Sequence, residues 1–451
     1  MILSSCDMVY WSQRSMRNRI DYRKIMRDSK KLHQKWLRSK FLHNIVTLVS
    51  GTAIAQVVGL LFVPWITRLY GPEAFGGLGY FSSLLGFLIP LASLCYPLAL
   101  VLPKGVTEAS ILFDLSLKIA VVASALIAGV FFFIDSVDRE FIPFCGSYIL
   151  VPLGVFLSIW VAAYTQWAIR CGHYRLIATI TILTALTGGV TKVALGYFYP
   201  SAISLIMVTI AVLICNLVML SKNLGGLVSL KEFLSIRVRH CAIAKKYLRF
   251  PVYRMPHGLI AIVSQIAPIF LLTSFYEAKY AGYFALTRTV LSAPVTLVGK
   301  AVYDATYPNI SRRYNANIEN FNFILKITVG LTLVSIIPLV IVFLAGDTIF
   351  FFIFGAEWER SGVYAAWMAL WFAFNFSNKA IAAAVSVYNM DELLFKNGIL
   401  NILLCLLGFF VGAICYSSDV VSVALFSLCG IFCQCLLITR VLQAVKKAES
   451  K

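Results

Sequence analysis

The chain has 451 residues, 60% of them hydrophobic and 13% charged, with a mean hydropathy of +0.84. Soluble domains carry about 25% charged residues, so this composition excludes the soluble enzyme classes. Lys and Arg outnumber Asp and Glu by 39 to 20, a formal net charge of +19. In a chain this apolar, that excess points to the cytoplasmic loops of a membrane protein and away from nucleic acid.

In chain order, residues 1–43 come first and hold eleven Lys and Arg against Asp7, Asp21 and Asp28. No short apolar stretch with a small-residue cleavage site follows them, so they read as a basic cytoplasmic tail, not a removable signal. Contact of this tail with anionic lipid is the sharper alternative. A helix needs about 20 mostly apolar residues to cross the hydrocarbon core. By that measure the sequence predicts twelve spans. Six of them, 44–68, 80–102, 115–134, 147–169, 177–198 and 202–221, make an N-terminal half over 44–221. The other six, 257–276, 281–304, 323–345, 362–388, 395–416 and 420–442, make a C-terminal half over 257–442. A basic linker, 222–256, separates the halves, and a short tail, 443–451, ends the chain. Gly188-Gly189 predicts a break in the fifth span.

With the N-terminus inside, the predicted cytoplasmic segments, counted with the adjoining span ends, hold thirty Lys and Arg and the external ones four: Arg68, Arg139, Lys279 and Arg360. The positive-inside rule then places both termini in the cytoplasm. Most of the cysteines (Cys95, Cys215, Cys405, Cys415, Cys429, Cys433 and Cys435) fall inside apolar runs, where they act as small hydrophobes. The five His are scattered, and no GxxxxGK[ST] phosphate loop is present. The reading therefore expects no metal, no cofactor and no ATP hydrolysis by this chain.

The halves echo one another. Pro64 and Pro90 are spaced as Pro268 and Pro294 are, and between them Phe75-Gly76 and Tyr80-Phe81-Ser82 parallel Ala281-Gly282-Tyr283-Phe284-Ala285. Paired halves around a long central loop suit a transporter built from parallel repeats. Ser50-Gly51-Thr52-Ala53-Ile54-Ala55-Gln56 and the run from Pro64 to Gly76 resemble the opening of the polysaccharide-exporter family. These are the Wzx-type O-antigen and capsule repeat-unit flippases, in the superfamily shared with MATE antiporters and the lipid II flippase. Leu100-Val101-Leu102-Pro103-Lys104, Ser264-Gln265-Ile266-Ala267-Pro268 and Ala281 to Arg288 are similar to that family too. The resemblance implies an all-α polytopic membrane protein, MATE-like, with two pseudo-symmetric six-helix halves around a central cavity. It further implies a place in the bacterial inner membrane and a protein that is not an enzyme.

The charges inside the predicted spans are cations: Lys192, Arg288, Lys300 and Lys379, with Asp304 the comparable acid near a cytoplasmic end. Each costs several kcal/mol at the bilayer centre unless it meets water, an anion or a ligand. They predict a cationic cavity for an anionic headgroup. Arg288, Ser292, Thr296, Lys300 and Asp304 form an i+4 ridge on span eight, within which Lys300 and Asp304 read equally as a simple ion pair. Asn375, Asn378 and Lys379 make a polar stripe on span ten. Gln265 and Tyr303 complete the predicted polar and aromatic lining, and Arg254 and Lys118 the cytoplasmic mouth.

The resemblance implies a substrate: an oligosaccharide repeat unit on a polyprenyl diphosphate, handed on to polymerase and chain-length-regulator partners amid membrane lipids. Three other readings compete. A cation-coupled multidrug antiporter would want a buried carboxylate in the first half, and a lipid II flippase would want fourteen spans. A membrane glycosyltransferase or polymerase would need paired carboxylates, for which Asp135, Asp138 and Glu140 sit on a short connection.

Overall fold

The computed structural model describes residues 5–103, 105–137, 147–224, 238–388 and 390–449, with side chains from Thr47 onward except at 135–137, 147–148, 238–239, 257 and 261. Lys104, Asp138, Arg139, Glu140 and the linker stretch 225–237 lie outside the described residues, as does the side chain of Asp135. All the regular structure described is helical. The elements are α1 (Ser5–Ser93), α2 (Tyr96–Ala99), α3 (Val106–Val137), α4 (Ser147–Arg170), α5 (Tyr174–Phe198), α6 (Ala202–Asn223) and α7 (Val238–Lys246). A π-helical turn (Phe250–Arg254) leads into α8 (Met255–Phe275), α9 (Ala278–Asn315) and α10 (Phe321–Phe354). A single 3-10 turn (Ala356–Trp358) precedes α11 (Glu359–Val387), α12 (Asp391–Cys415) and α13 (Asp419–Glu449).

Eight of these helices are long and apolar enough to cross a membrane. One of them, α1, consists of two helices joined at a kink at Gly71. There φ is 69°, a left-handed conformation that only glycine adopts cheaply, and the Glu357 carboxylate lies where a side chain would begin. The preceding turn and α8 together make a further apolar pass, bent by 49° between Ile260 and Ile262. Two more helices, α9 and α11, have the length but are too polar to meet the same measure. Among the described residues this makes eight such helices, or nine spans with the bent pair; the two polar helices carry Arg288 and the Asn375–Lys379 stripe.

Two predicted boundaries are corrected. The second pass ends at Ser93, not 102, because Leu94 and Cys95 turn left-handed (φ 50° and 56°) and the chain restarts as α2. Helix α9 runs on to Asn315, well past the predicted 304, whereas α10 kinks at Ala345, where the predicted span ends, before continuing to Phe354. Helix α5 is unbroken: Gly188 lets Val212 of α6 approach, and Gly189 lets Phe62 of α1 approach. Together with Gly51 against Ala178 and Gly196 against Tyr70, these contacts hold one register, so the first pass and α5 run parallel.

The helices form two groups, α1 with α3–α6 and α8–α13. At the end of the molecule that holds Gly71, one apolar cluster draws on both groups, from Val63, Ile66 and Phe75 of α1 to Phe284, Trp358, Tyr364 and Phe409. At the opposite end the clusters are separate. Tyr96, Leu100 and Leu117 pack with Ile243 of α7, whereas Ile310, Ile324 and Ile381 pack with Val441 and Val445. The molecule is therefore sealed at one end and divided at the other.

Polar contacts follow the same division. At the divided end α7 is bound to α3: His240 Nε2 lies 2.7 Å from Asp114 Oδ2, which also accepts from Lys118 at 2.6 Å. Lys246 donates to Glu108 at 2.5 Å, a bond that holds the Lys246 ammonium above its usual pKa. In the other group, Glu449 accepts from the backbone N–H of Asn320 and Phe321 at the start of α10, where a carboxylate suits the helix dipole. At the sealed end the groups bond to each other. Arg68 donates to the Phe352 carbonyl at 2.5 Å, Thr67 to the Phe354 carbonyl at 3.4 Å, and Trp358 Nε1 to the Thr67 carbonyl at 3.1 Å. The Arg68 cation thus meets the carbonyl end of α10, where the dipole favours it, and not that of its own helix.

The seal depends on Gly76 and Gly282. A methyl group on Gly76 would overlap the Ala278 carbonyl oxygen, and one on Gly282 would overlap the Pro72 carbonyl oxygen. Each glycine receives the carbonyl four residues ahead of the other, so two backbones cross in van der Waals contact with no side chain between them. Gly282→Val is expected to force this end open, because backbone cannot yield as a flexible side chain does. A cysteine at Ser82 in a background without reactive thiols should then become labelled from the sealed side. Labelling equal to that of the unsubstituted protein would count against the crossing as the seal.

Candidate functional site

Directly beneath the crossing lies a cavity of about 450 Å³ between the two groups. Its wall comes from Phe75 to Gly86 of α1, Ile262 to Ile269 of α8 and Ala285 to Ser292 of α9. Ser82, Ser83, Thr289 and Ser292 supply hydroxyls, Gln265 an amide and Arg288 the charge; no Asp or Glu lines it. Arg288 stands ten residues after the start of α9, about 15 Å along the helix at 1.5 Å per residue, deeper than the predicted span boundary placed it. Its Nη2 donates to Gln265 Oε1 at 3.0 Å. A guanidinium has five N–H donors, and no other partner is described for this one.

A second cavity, of about 280 Å³, lies inside the α8–α13 group, walled by α8, α11, α12 and α13. It holds Trp371, Asn375, Asn378 and Lys379 of α11, Asn397 and Asn401 of α12, and Gln434 of α13. Gln265 borders both cavities and so joins them. Asn378 donates to Gln434, and Asn397 Nδ2 to the Cys433 carbonyl at 3.2 Å. The alkyl chain of Lys379 lies across Gly299 of α9, which ties this wall to the helix that carries Arg288.

The family's sequence profile, described as polysaccharide biosynthesis protein, matches residues 65–362, about two thirds of the chain. The chain belongs to the polysaccharide biosynthesis protein family. No curated protein matches it in sequence. Among solved structures, it is similar to the lipid II flippase MurJ in an inward closed conformation: TM-score 0.68 and 14% identity over 88% of this chain and 87% of that one. It is also similar to an inward-facing multidrug resistance MATE family transporter of the MOP superfamily, with TM-score 0.59 and 12% identity over 89% and 95%. A variant of the Vibrio cholerae MATE transporter VcmN gives TM-score 0.57 and 12% identity over 92% and 98%. At these identities the likeness establishes the fold: this family member is a multi-pass membrane protein with the helical architecture of MurJ and MATE transporters.

The predicted site residues divide among several places. Arg288 and Gln265 meet in the first cavity, and Asn375, Asn378, Lys379 and again Gln265 in the second. Lys192 borders neither. Helical geometry puts it on α5 between Gly188, packed on α6, and Gly189 and Gly196, packed on α1, and its carbonyl accepts from Tyr70 at 2.8 Å. Lys300 is exposed, borders neither cavity and forms no ion pair with Asp304. Tyr303 stacks on Tyr307 and meets Ser386 at 3.2 Å. Arg254 is exposed at the end of the π-helical turn, and Lys118 is engaged by Asp114 at the divided end.

Sequence reasoning missed Ser82 and Ser83, Asn397 and Asn401, and Gln434. The i,i+4 amides of α12 and the lone Gln434 within an apolar run were the available signals. It also missed the buried carboxylate at the sealed end. Asp419 accepts from Arg360 at 2.5 and 2.8 Å and from Tyr364 at 2.6 Å, fastening α13 to α11. Hydrogen bonds to a charged group contribute about 1.5–3 kcal/mol each. Asp419→Asn is therefore expected to lower stability by about 2 kcal/mol, read as a fall in Tm of the purified protein, with the Arg288 cavity unchanged. An unaltered Tm would mean that the triad does not hold these helices.

Proposed function

We propose that this protein is a flippase that carries polyprenyl-diphosphate-linked oligosaccharide repeat units, for O-antigen or capsule, across the bacterial cytoplasmic membrane. The single observation behind this reading is the first cavity: one half-buried arginine, four hydroxyls and no carboxylate among its described lining, between two helix groups that are sealed at one end. Arg288 pairs its open donors with the diphosphate oxygens, since a guanidinium binds phosphate bidentately. Lys379, one cavity away, adds point charge. Lys192 and Lys300 contribute through the field and not by contact. The charge bias of the loops supports a cytoplasmic position for the divided end and both termini. The conformation then faces inward, ready to receive a headgroup made on that side.

Rocking of the two groups would open the Gly76–Gly282 crossing and close the divided end. A diphosphate carries about two negative charges, and a cell interior that is negative favours their outward movement. At about 2.3 kcal/mol per charge per 100 mV this supplies at most about 4–5 kcal/mol, with no ion-binding carboxylate required. Charge borne by moving Arg and Lys lowers that figure. The lining also disfavours a cation-coupled antiporter, which would place an acid where a cationic drug binds.

Arg288→Ala is expected to abolish surface polysaccharide at unchanged protein level, with Arg288→Lys retaining part of it. Normal polysaccharide from Arg288→Ala would remove the headgroup site. In reconstituted vesicles, a potential imposed at constant pH should change the flipping rate. A rate that answers only to a proton or sodium gradient would refute the coupling while leaving the substrate in place.

A further inference from the structure

We infer that the second cavity is a separate sugar subsite, which recognises the pyranose residue attached directly to the diphosphate. The inference rests on the reading of Arg288 as the headgroup site and extends it from charge to glycan chemistry.

The lining is unusual for a space inside a membrane helix bundle. Four Asn, two Gln, a Ser, a Trp and a Lys surround it, and no carboxylate does. Amides at such depth cost free energy unless every donor and acceptor is met. Here the set remains incomplete. Trp371, Asn378 and Asn397 are 6%, 7% and 5% exposed, yet Trp371 Nε1, Asn378 Oδ1 and Asn397 Oδ1 have no hydrogen-bond partner. The indole edge that bears Nε1 rests on Gly430, and the ring is held at 90° to Phe426, so it is fixed by packing without a polar tie. Buried polar groups in a folded protein are ordinarily paired. Three that are not belong to residues of this cavity's wall but are shut off from its space, so the groups a ligand meets are the half-buried amides of Asn375 and Asn401.

The chemistry of the walls selects the ligand. A side-chain amide offers one acceptor and two donors side by side, which matches the adjacent hydroxyls of a pyranose. An indole supplies a flat apolar surface with a donor at its edge, which suits the C–H face of the same ring. A second phosphate would call for more than one cation, and an apolar tail would leave the amides unmet. At about 280 Å³ the space suits one sugar, not an entire oligosaccharide. Gln265 settles which sugar: it borders this cavity and also accepts from Arg288, so a ring bound here adjoins the phosphate bound there.

The test is binding to the full-length protein in nanodiscs, with farnesyl diphosphate compared with farnesyl diphosphates bearing glucose, galactose or N-acetylglucosamine. The unsubstituted protein should bind at least one sugar form about tenfold tighter than the sugar-free probe, the increment expected of two added hydrogen bonds. Asn375→Leu with Asn401→Leu should erase that tenfold difference and leave farnesyl diphosphate binding unchanged. Asn375→Ala alone, at a half-buried position the fold tolerates, should erase part of it. Arg288→Ala should weaken every probe by the same factor. Equal affinity of the unsubstituted protein for all four probes would overturn the inference. So would amide variants that weaken farnesyl diphosphate as much as its sugar forms. If instead Arg288→Ala leaves every probe unaffected while the amide variants still erase the sugar increment, the headgroup reading fails and the sugar subsite stands.

Discussion

The reciprocal contact between Gly76 and Gly282 is the constraint on which the rest of this molecule depends. Two helices from different groups cross with each glycine against the other's backbone, the carbonyls of Pro72 and Ala278 filling the space that side chains would take. In lipid there is no hydrophobic gain from pressing one apolar helix on another, so close packing of small residues carries much of the association. The crossing brings Phe75, Tyr283 and Trp358 into edge-to-face contact and lets Arg68 reach the end of α10. Removing that closeness would loosen the Arg68, Thr67 and Trp358 contacts, because each reaches across the same gap.

Beneath the seal, the two cavities divide polar chemistry between an interface and an interior. The first lies where the groups meet, so its walls part when they move. The second lies within one group and travels with it. An arginine at the moving interface and a field of amides in the rigid interior are different devices: charge binds at long range, whereas amides discriminate shape at contact distance. Gln265 touches both, and Lys379 braces one against the helix of the other.

The divided end is held differently. There α7 is fastened to α3 by Asp114, Glu108, His240 and Lys246. The bend near Ile260 begins only after that anchorage. The π-helical turn, of a kind frequent at functional sites, and the bend in α8 thus lie between that anchorage and the second group.

The sequence by itself determined the membrane class and the all-helical architecture, because hydropathy and charge act locally and are written residue by residue. It also singled out Arg288, Gln265 and the Asn375–Lys379 stripe, which the structure sets around two cavities. Only the tertiary structure decided how these fall together. Lys192 and Arg288 look alike in sequence, each a lone cation in a span, yet one is wedged between α1 and α6 and the other opens on a cavity. Gly188-Gly189 reads as a break but serves as a seat for Val212 and Phe62. Asp419 and Arg360 are 59 residues apart and meet only through helix packing. Which face of a helix is turned to a neighbour, to lipid or to water depends on partners distant in the chain, and one-dimensional periodicity does not carry that information.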